Sequence, residues 1–181
     1  MTWLNTVRHA GSLQRYHTKP LLHKQDIAQH SFNCVFLAME LCNGVEDVDK
    51  DKIIRYLLTH DLAEVETGDA SGKAKKDHPK LKQVLDEIEE EWYNKNLPSY
   101  FKDCRKLTEK EKYICKMADL LEGLTTALIE VNLGNKYLES AVDDLKTSLD
   151  TINYKTDEYD RELDNNFWSI YFGILNEWEE G

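Results

Sequence analysis

Apolar residues recur at i, i+3 and i+4 through most of this chain, and no segment alternates apolar with polar residues over the length of a strand. The first spacing is that of an amphipathic α-helix, and the missing alternation would mark a half-buried strand. Three prolines (Pro20, Pro79, Pro98) and eight glycines interrupt 181 residues, which leaves few breakers between periodic segments. An all-α fold is expected. It should form one domain over residues 1–181, since domains commonly run to ~100–200 residues.

Seven helices are expected: Thr2 to Gln14, Asp26 to Cys42, Asp49 to Glu64, Pro79 to Asn96, Thr108 to Gly134, Lys136 to Ile152 and Tyr159 to Trp178. Asp26 suits an N-cap, Pro79 a first-turn position, and Thr108 with Glu111 a capping box. The second helix is expected to turn Ala28, Phe32, Val35, Met39 and Cys42 inward, and the third Ile53, Ile54, Leu57 and Leu58. Thr67 to Lys73 reads as a loop.

Net charge is −11, from 34 acidic and 23 basic residues. Nucleic-acid polymers call for a basic face, so none is expected as a partner. A small phosphorylated ligand is still allowed, because a local cluster of cations suffices for it. No run of about 18 apolar residues is present, so no membrane span is expected. The first residues lack the pattern of a secretory signal, which points to the cytoplasm. Cys34, Cys42, Cys104 and Cys115 form no C-x-x-C pair and read as buried free thiols. Sequence patterns of Rossmann folds, P-loops, zincins and serine hydrolases are absent.

Four short pieces set imidazole or carboxylate beside strongly apolar positions: Gln29-His30-Ser31, Thr59-His60-Asp61-Leu62-Ala63-Glu64, Thr67-Gly68-Asp69 and Lys116-Met117-Ala118-Asp119. Ionised groups at a core boundary are costly unless paired or metal-bound. Imidazole and carboxylate together are the ligand set of borderline divalent metals, and helical bundles build such sites between facing helices. Glu64 lies at i+4 from His60 and i+3 from Asp61, so it can approach the same point. A carboxylate there is a natural general base.

The ordered set His…His-Asp…Asp resembles the HD superfamily of metal-dependent phosphohydrolases, and within it the 5′-deoxynucleotidase branch. The matching segments are Arg15-Tyr16, Ala28-Gln29-His30-Ser31, His60-Asp61-Leu62-Ala63-Glu64-Val65-Glu66-Thr67-Gly68-Asp69 and Lys116-Met117-Ala118-Asp119. They cover about the first two thirds of the chain. The resemblance implies a single HD-domain helical bundle that hydrolyses deoxynucleotides. It implies a divalent metal (Co2+, Mn2+, Zn2+ or Mg2+) on His30, His60, Asp61 and Asp119. Glu64 and Asp69 match catalytic carboxylates, which in related proteins also hold a second metal. Arg15, Tyr16, Thr18, Lys73 and Lys116 are the expected substrate contacts. Glu64 would orient or deprotonate the attacking water or protonate the departing alkoxide, while Arg15 and Lys116 neutralise charge. At least a homodimer is implied as well.

Gln29 stands where the family commonly has Glu, and the expected consequence is an altered contact behind His30. Tyr16 replaces a frequent Trp. Compact length and Arg15-Tyr16-His17-Thr18 also resemble a phage group that removes triphosphate from dATP. The motif does not separate monophosphate from triphosphate substrates. A run of Lys73, Lys75 and Lys76 either holds extra phosphates or is an ordinary solvated loop. Alternatives are an HD hydrolase of another phosphoester, such as a cyclic dinucleotide or (p)ppGpp, and a non-catalytic nucleotide-binding HD domain. The signature segments of the first two are missing, and the intact ligand positions weigh against the third. Tyr154, Tyr159, Phe167, Trp168, Tyr171, Phe172 and Trp178 make the C-terminal third aromatic. They read either as cover for the core or as an oligomer interface.

Overall fold

Helix starts in this chain are written in its caps. In the computed structural model, which describes residues 3–153 and 160–179, the α-helices in order are α1 (Trp3–Ala10), α2 (Ile27–Leu41), α3 (Lys50–Leu57), α4 (Glu64–Thr67), α5 (Gly72–Asp77), α6 (Pro79–Asn96), α7 (Ser99–Lys102), α8 (Glu109–Asn132), α9 (Glu139–Asn153) and α10 (Arg161–Glu179). Among the described residues there are no strands, only one isolated bridge between Gln14 and Asp26. Asp26 and Gln29 close a capping box on α2, and Thr108 and Glu111 close another on α8. Each box satisfies two backbone N–H groups that a helix start leaves orphaned. Pro79 occupies the first turn of α6.

The long helix α8 is the axis of the fold. Ile114, Met117, Ala118, Leu121, Leu124 and Ala127 are buried along it, and α2, α3, α9 and α10 pack around them. A second, smaller cluster joins Ala10, Ile27, Leu62, Ala63, Trp92, Tyr93 and Leu97. Leu121 has no exposed surface. Leu121→Ala is therefore expected to cost about 2–5 kcal/mol, the range for buried leucine truncations. Urea unfolding checks it: the midpoint should fall at unchanged slope. A loss of under about 1 kcal/mol would mean that α8 is not the packing axis.

Several expectations are corrected. Of the face assigned to α2, only Val35 and Cys42 are buried; Ala28, Phe32 and Met39 face outward, and Ile27, His30, Ser31, Cys34, Ala38 and Leu41 face inward. Apolar periodicity misplaced the face because a histidine and a serine belong to the inner one. The third helix stops at Leu57, not Glu64, and Leu58 is exposed. Thr59 ends it by donating its hydroxyl back to the Arg55 and Tyr56 carbonyls, a backbone competition typical of threonine. Gln14 lies beyond α1, in the bridge. Ser71 caps the additional short helix α5 where a loop was expected. In the C-terminal third, Phe167 and Tyr171 are buried in the core and Trp168 and Trp178 pack against it. Tyr154 and Tyr159 lie outside the described residues.

Candidate active site

The irregular turn after α3 is what brings His60 and Asp61 together. Past Leu57 the backbone continues in i→i+3 bonds, with Leu62 donating to Thr59 and Glu64 to Asp61. Adjacent residues on a regular helix point about 100° apart, and the tighter turn removes that constraint. Asp61 Oδ2 lies 3.3 Å from His60 Nε2 and 3.6 Å from His30 Nε2. Asp119 on α8 sets Oδ1 3.3 Å from the same His30 nitrogen. The two imidazole centroids are 5.3 Å apart.

His60 Nδ1 lies 2.7 Å from the Leu57 carbonyl. A carbonyl only accepts, so the Nδ1 proton points there and Nε2 carries the lone pair. That Nε2 is buried and has no hydrogen-bond partner. Burial lowers the pKa of His60, which keeps the imidazole neutral. A buried, unpartnered nitrogen lone pair beside two carboxylates is a donor set suited to a divalent cation. His30 differs. Burial disfavours its charge, but hydrogen bonds with Asp119, Cys34 and Glu122 outweigh that and raise its pKa well above the ordinary value. A cation bound at His30 would have to displace a proton there, so its affinity would rise with pH.

Cys34, one helical turn beyond His30, belongs to the cluster of ligand atoms within 4.8 Å of one another formed by His30, Cys34, His60 and Asp119. Its sulfur is almost equidistant from the two His30 nitrogens, at 3.5 and 3.6 Å. That is the geometry of packing on the ring. Burial pushes its thiol up to about 11, which favours the neutral thiol in the metal-free protein. Asp61, 3.3 and 3.6 Å from the two histidine Nε2 atoms, is the other candidate for a fourth donor.

Glu122 was missed in the sequence. It is buried on α8, and its Oε2 lies 2.5 Å from His30 Nδ1. Gln25, Asn33 and Thr126 also donate to it. Its position three residues after Asp119, inside Leu120-Leu121-Glu122-Gly123-Leu124, was the available signal: a carboxylate in an apolar run on the face of a candidate ligand. Gln29, expected behind His30, instead caps α2. Glu122→Gln is expected to weaken metal affinity roughly 10- to 100-fold, the usual effect of losing a ligand's supporting carboxylate. Titration with Co2+ checks it. Unchanged affinity would mean that Glu122 does not orient His30.

The Arg15-Tyr16 segment reaches the cluster because residues 13–15 run antiparallel to residues 25–27, through Arg15 N–H to Gln25 O and Ile27 N–H to Leu13 O. Arg15 Nη1 lies 3.3 Å from Asp61 Oδ2. Tyr16 takes a left-handed φ of 52°, and its N–H donates to Asp69 Oδ2. A Cβ on Gly123 would meet the Tyr16 hydroxyl and Leu145 at 3.4 Å, so the absent side chain lets the ring lie across α8.

Glu64 is buried, and burial, then Asp61 and Asp69, push its carboxyl up to about 8. Lys75 Nζ lies 3.4 Å from it. The basic run does not converge: Lys73 is highly exposed and pairs with Asp77 at 3.7 Å, and Lys76 is exposed. Of this run, Lys75 is the lysine that meets a carboxylate of the cluster, Glu64. Lys116 pairs with Asp119 at 2.6 Å, and Thr18 is exposed in the turn after Tyr16.

An all-helical bundle with His, His-Asp and Asp converging from α2, the turn after α3 and α8 defines a phosphohydrolase of the HD class. The chain belongs to the YfbR-like 5′-deoxynucleotidase family, whose model matches residues 2–162. It is 28% identical over 154 residues to a 5′-deoxynucleotidase of Pasteurella multocida, covering 77% of this chain and 79% of that one. It is 29% identical over 157 residues to the 4′-phosphooxetanocin A phosphatase of Priestia megaterium, covering 80% of each. In fold it is similar to the cyanophage S-2L HD phosphohydrolase DatZ, solved with dA and one catalytic Zn2+ ion (TM-score 0.77, 18% identity, 100% and 99% of the two chains). It is also similar to an HD-domain phosphohydrolase of Listeria innocua (TM-score 0.72, 16% identity, 99% and 91%). No described helix is long and apolar enough to cross a membrane.

Proposed function

We propose that the protein hydrolyses the 5′-phosphate of deoxynucleoside monophosphates, with a divalent cation held by His30, His60, Asp61 and Asp119. The observation that carries this reading is the unpartnered, buried Nε2 of His60, aimed among these carboxylates. A divalent cation there supplies Lewis acidity, which acidifies water and draws charge from a phosphoryl oxygen. Zn2+, Co2+ and Mn2+ suit the mixed nitrogen and oxygen donors better than Mg2+.

The chain's own groups do the rest. Arg15, already beside Asp61, neutralises charge on the phosphoryl oxygens, and its planar donors suit a phosphate. Glu64, raised toward neutrality, holds a proton for the departing 5′ oxygen. Lys75 stays beside Glu64 and stabilises the carboxylate left behind. Asp69 positions Tyr16 through its main chain, and Tyr16 contributes to the nucleoside wall. Lys116 stands at the exposed mouth as a second cation. Phosphoryl transfer asks mainly for placement and charge of this kind. Support for monophosphates comes from the curated relatives and from the dispersed basic run, whose Lys73 and Lys76 are exposed and do not converge with Lys75 on Glu64.

The chain is read as one domain over residues 1–181, acting in the cytoplasm, where its four buried free cysteines stay reduced. A homo-oligomer is supported by Phe32, Phe36 and Met39, exposed by 59, 56 and 52% on one face of α2. The Phe32 and Phe36 rings lie 4.9 Å apart. Contiguous exposed apolar residues of this kind mark contacts.

Product analysis tests the function. Purified protein with Co2+ or Mn2+ is incubated with dNMPs, dNTPs and ribonucleotides. Orthophosphate and deoxynucleoside from dNMPs are expected, with no turnover after chelation. Tripolyphosphate from dNTPs with no dNMP cleavage would replace the reading with a triphosphohydrolase. No turnover of any nucleotide would contradict it.

A further inference from the structure

Arg105 ends the 3-10 turn Asp103–Arg105 between α7 and α8. Its guanidinium carbon lies 3.8 Å from the centre of the Tyr93 ring and 5.2 Å from that of Tyr56. Its Nη1 is buried with no hydrogen-bond partner. No ion pair between Arg105 and a carboxylate is formed among the described residues. In a chain with 34 acidic residues and a net charge of −11, a guanidinium packed on aromatic faces and left without a carboxylate is unusual. Stacking fixes its plane. It does not use up the in-plane N–H edge, which is the edge that matches a phosphate.

The Arg105 side chain lines a cleft of about 540 Å3, to which Lys102, Lys106 and Lys112 also contribute. Lys102 Nζ is bound to the Asn94 carbonyl at 2.5 Å, and Lys112 pairs with Glu109 at 2.7 Å. Lys106 is exposed. Two carboxylates line the cleft: Glu90, which accepts from the Asn94 amide, and Asp103. Four cations face two anions in the lining, and with Glu109 paired to Lys112 the local excess is +1, opposite in sign to the whole chain. None of these residues belongs to the metal cluster. Yet the cleft adjoins it, since the Tyr93 hydroxyl donates to the His60 carbonyl and the Tyr56 ring stacks on the His60 imidazole at 6.2 Å.

We propose that this cleft is a second anion site, which binds a phosphate group with Arg105 as anchor and Lys106 as the mobile second cation. It is independent of which substrate the metal cluster takes. A phosphate would supply the directly bonded counter-charge that Glu89 gives Arg105 only at longer range. The phosphate group has two sources, free orthophosphate or the phosphate of a nucleotide, and the same chemistry recognises both.

The test follows the side-chain Nε–Hε resonance of Arg105 by NMR in the full, metal-free chain, with the assignment made from Arg105→Lys. Inorganic phosphate, dAMP and tripolyphosphate are titrated in turn at constant ionic strength. The expected result is a saturable shift at Arg105. Lys106→Gln, an exposed change that leaves packing intact, should weaken it roughly fivefold. Arg105→Gln should weaken phosphate binding at the neighbouring amides on the order of 10-fold or more. The Arg15 resonance should titrate as in the wild type in both variants. Saturation by phosphate at or below the concentration needed for dAMP assigns the site to free orthophosphate; tighter saturation by dAMP or tripolyphosphate assigns it to a nucleotide's phosphates. An Arg105 resonance that does not move, moves linearly without saturating, or responds identically in Lys106→Gln would overturn the proposal.

Discussion

Asp61→Ala is expected to abolish metal binding and turnover together. Asp61 Oδ2 is the one carboxylate oxygen within 3.6 Å of both histidine Nε2 atoms among the described ion pairs, and it also holds Arg15. Removing it takes away an anionic donor and leaves the Arg15 guanidinium without the partner that fixes its direction. Turnover should fall on the order of 10³-fold or more, the scale on which one preorganised charge acts in a closed site. Co2+ titration should find no site of wild-type affinity, while circular dichroism stays helical. Retained metal with lost turnover would make Asp61 a substrate-positioning group and return the fourth ligand position to Cys34.

Glu64→Gln separates chemistry from metal binding. The principal metal should remain, since Glu64 is not among the four proposed ligands, and kcat should fall about 10²- to 10⁴-fold, the range for a lost general acid or base. The pH behaviour carries a sign. Glu64 has its folded pKa raised from 4.5 to about 8, so the folded state binds its proton more tightly than the unfolded chain does. Its contribution to stability is fully present below about 4.5 and is lost as pH rises through about 8. Metal-free wild type should therefore lose stability across that window, and Glu64→Gln should lose much less. In the loaded enzyme a nearby cation lowers the value, so the alkaline limb of kcat/KM should fall below about 8. That limb should vanish in Glu64→Gln. Wild-type turnover in the variant would remove Glu64 from the mechanism.

The parts of the fold that were legible in the sequence are those governed by local chemistry. Asp26, Pro79 and the Thr108–Glu111 pair announce helix starts, because capping is a contract between residues three apart. His30, His60, Asp61 and Asp119 stood out because polar groups at apolar positions need a reason. What escaped depends on tertiary contact. The inner face of α2 includes His30 and Ser31, so counting apolar residues turned the helix the wrong way. The stop after Leu57 goes with Thr59 reaching back to the Arg55 and Tyr56 carbonyls. Glu122 was hidden because its partner His30 is 92 residues away. Lys73 and Lys75 are equivalent in sequence, and only the capped helix α5 decides that Lys75 faces Glu64 and Lys73 faces solvent.

An anomalous difference map from crystals soaked in Co2+, recorded at the cobalt edge, tests the metal centre directly. One peak is expected, in contact with the Nε2 atoms of His30 and His60 and with carboxylate oxygens of Asp61 and Asp119. A peak centred on Cys34 without Asp61, a peak at other residues, or no peak in active crystals would contradict it.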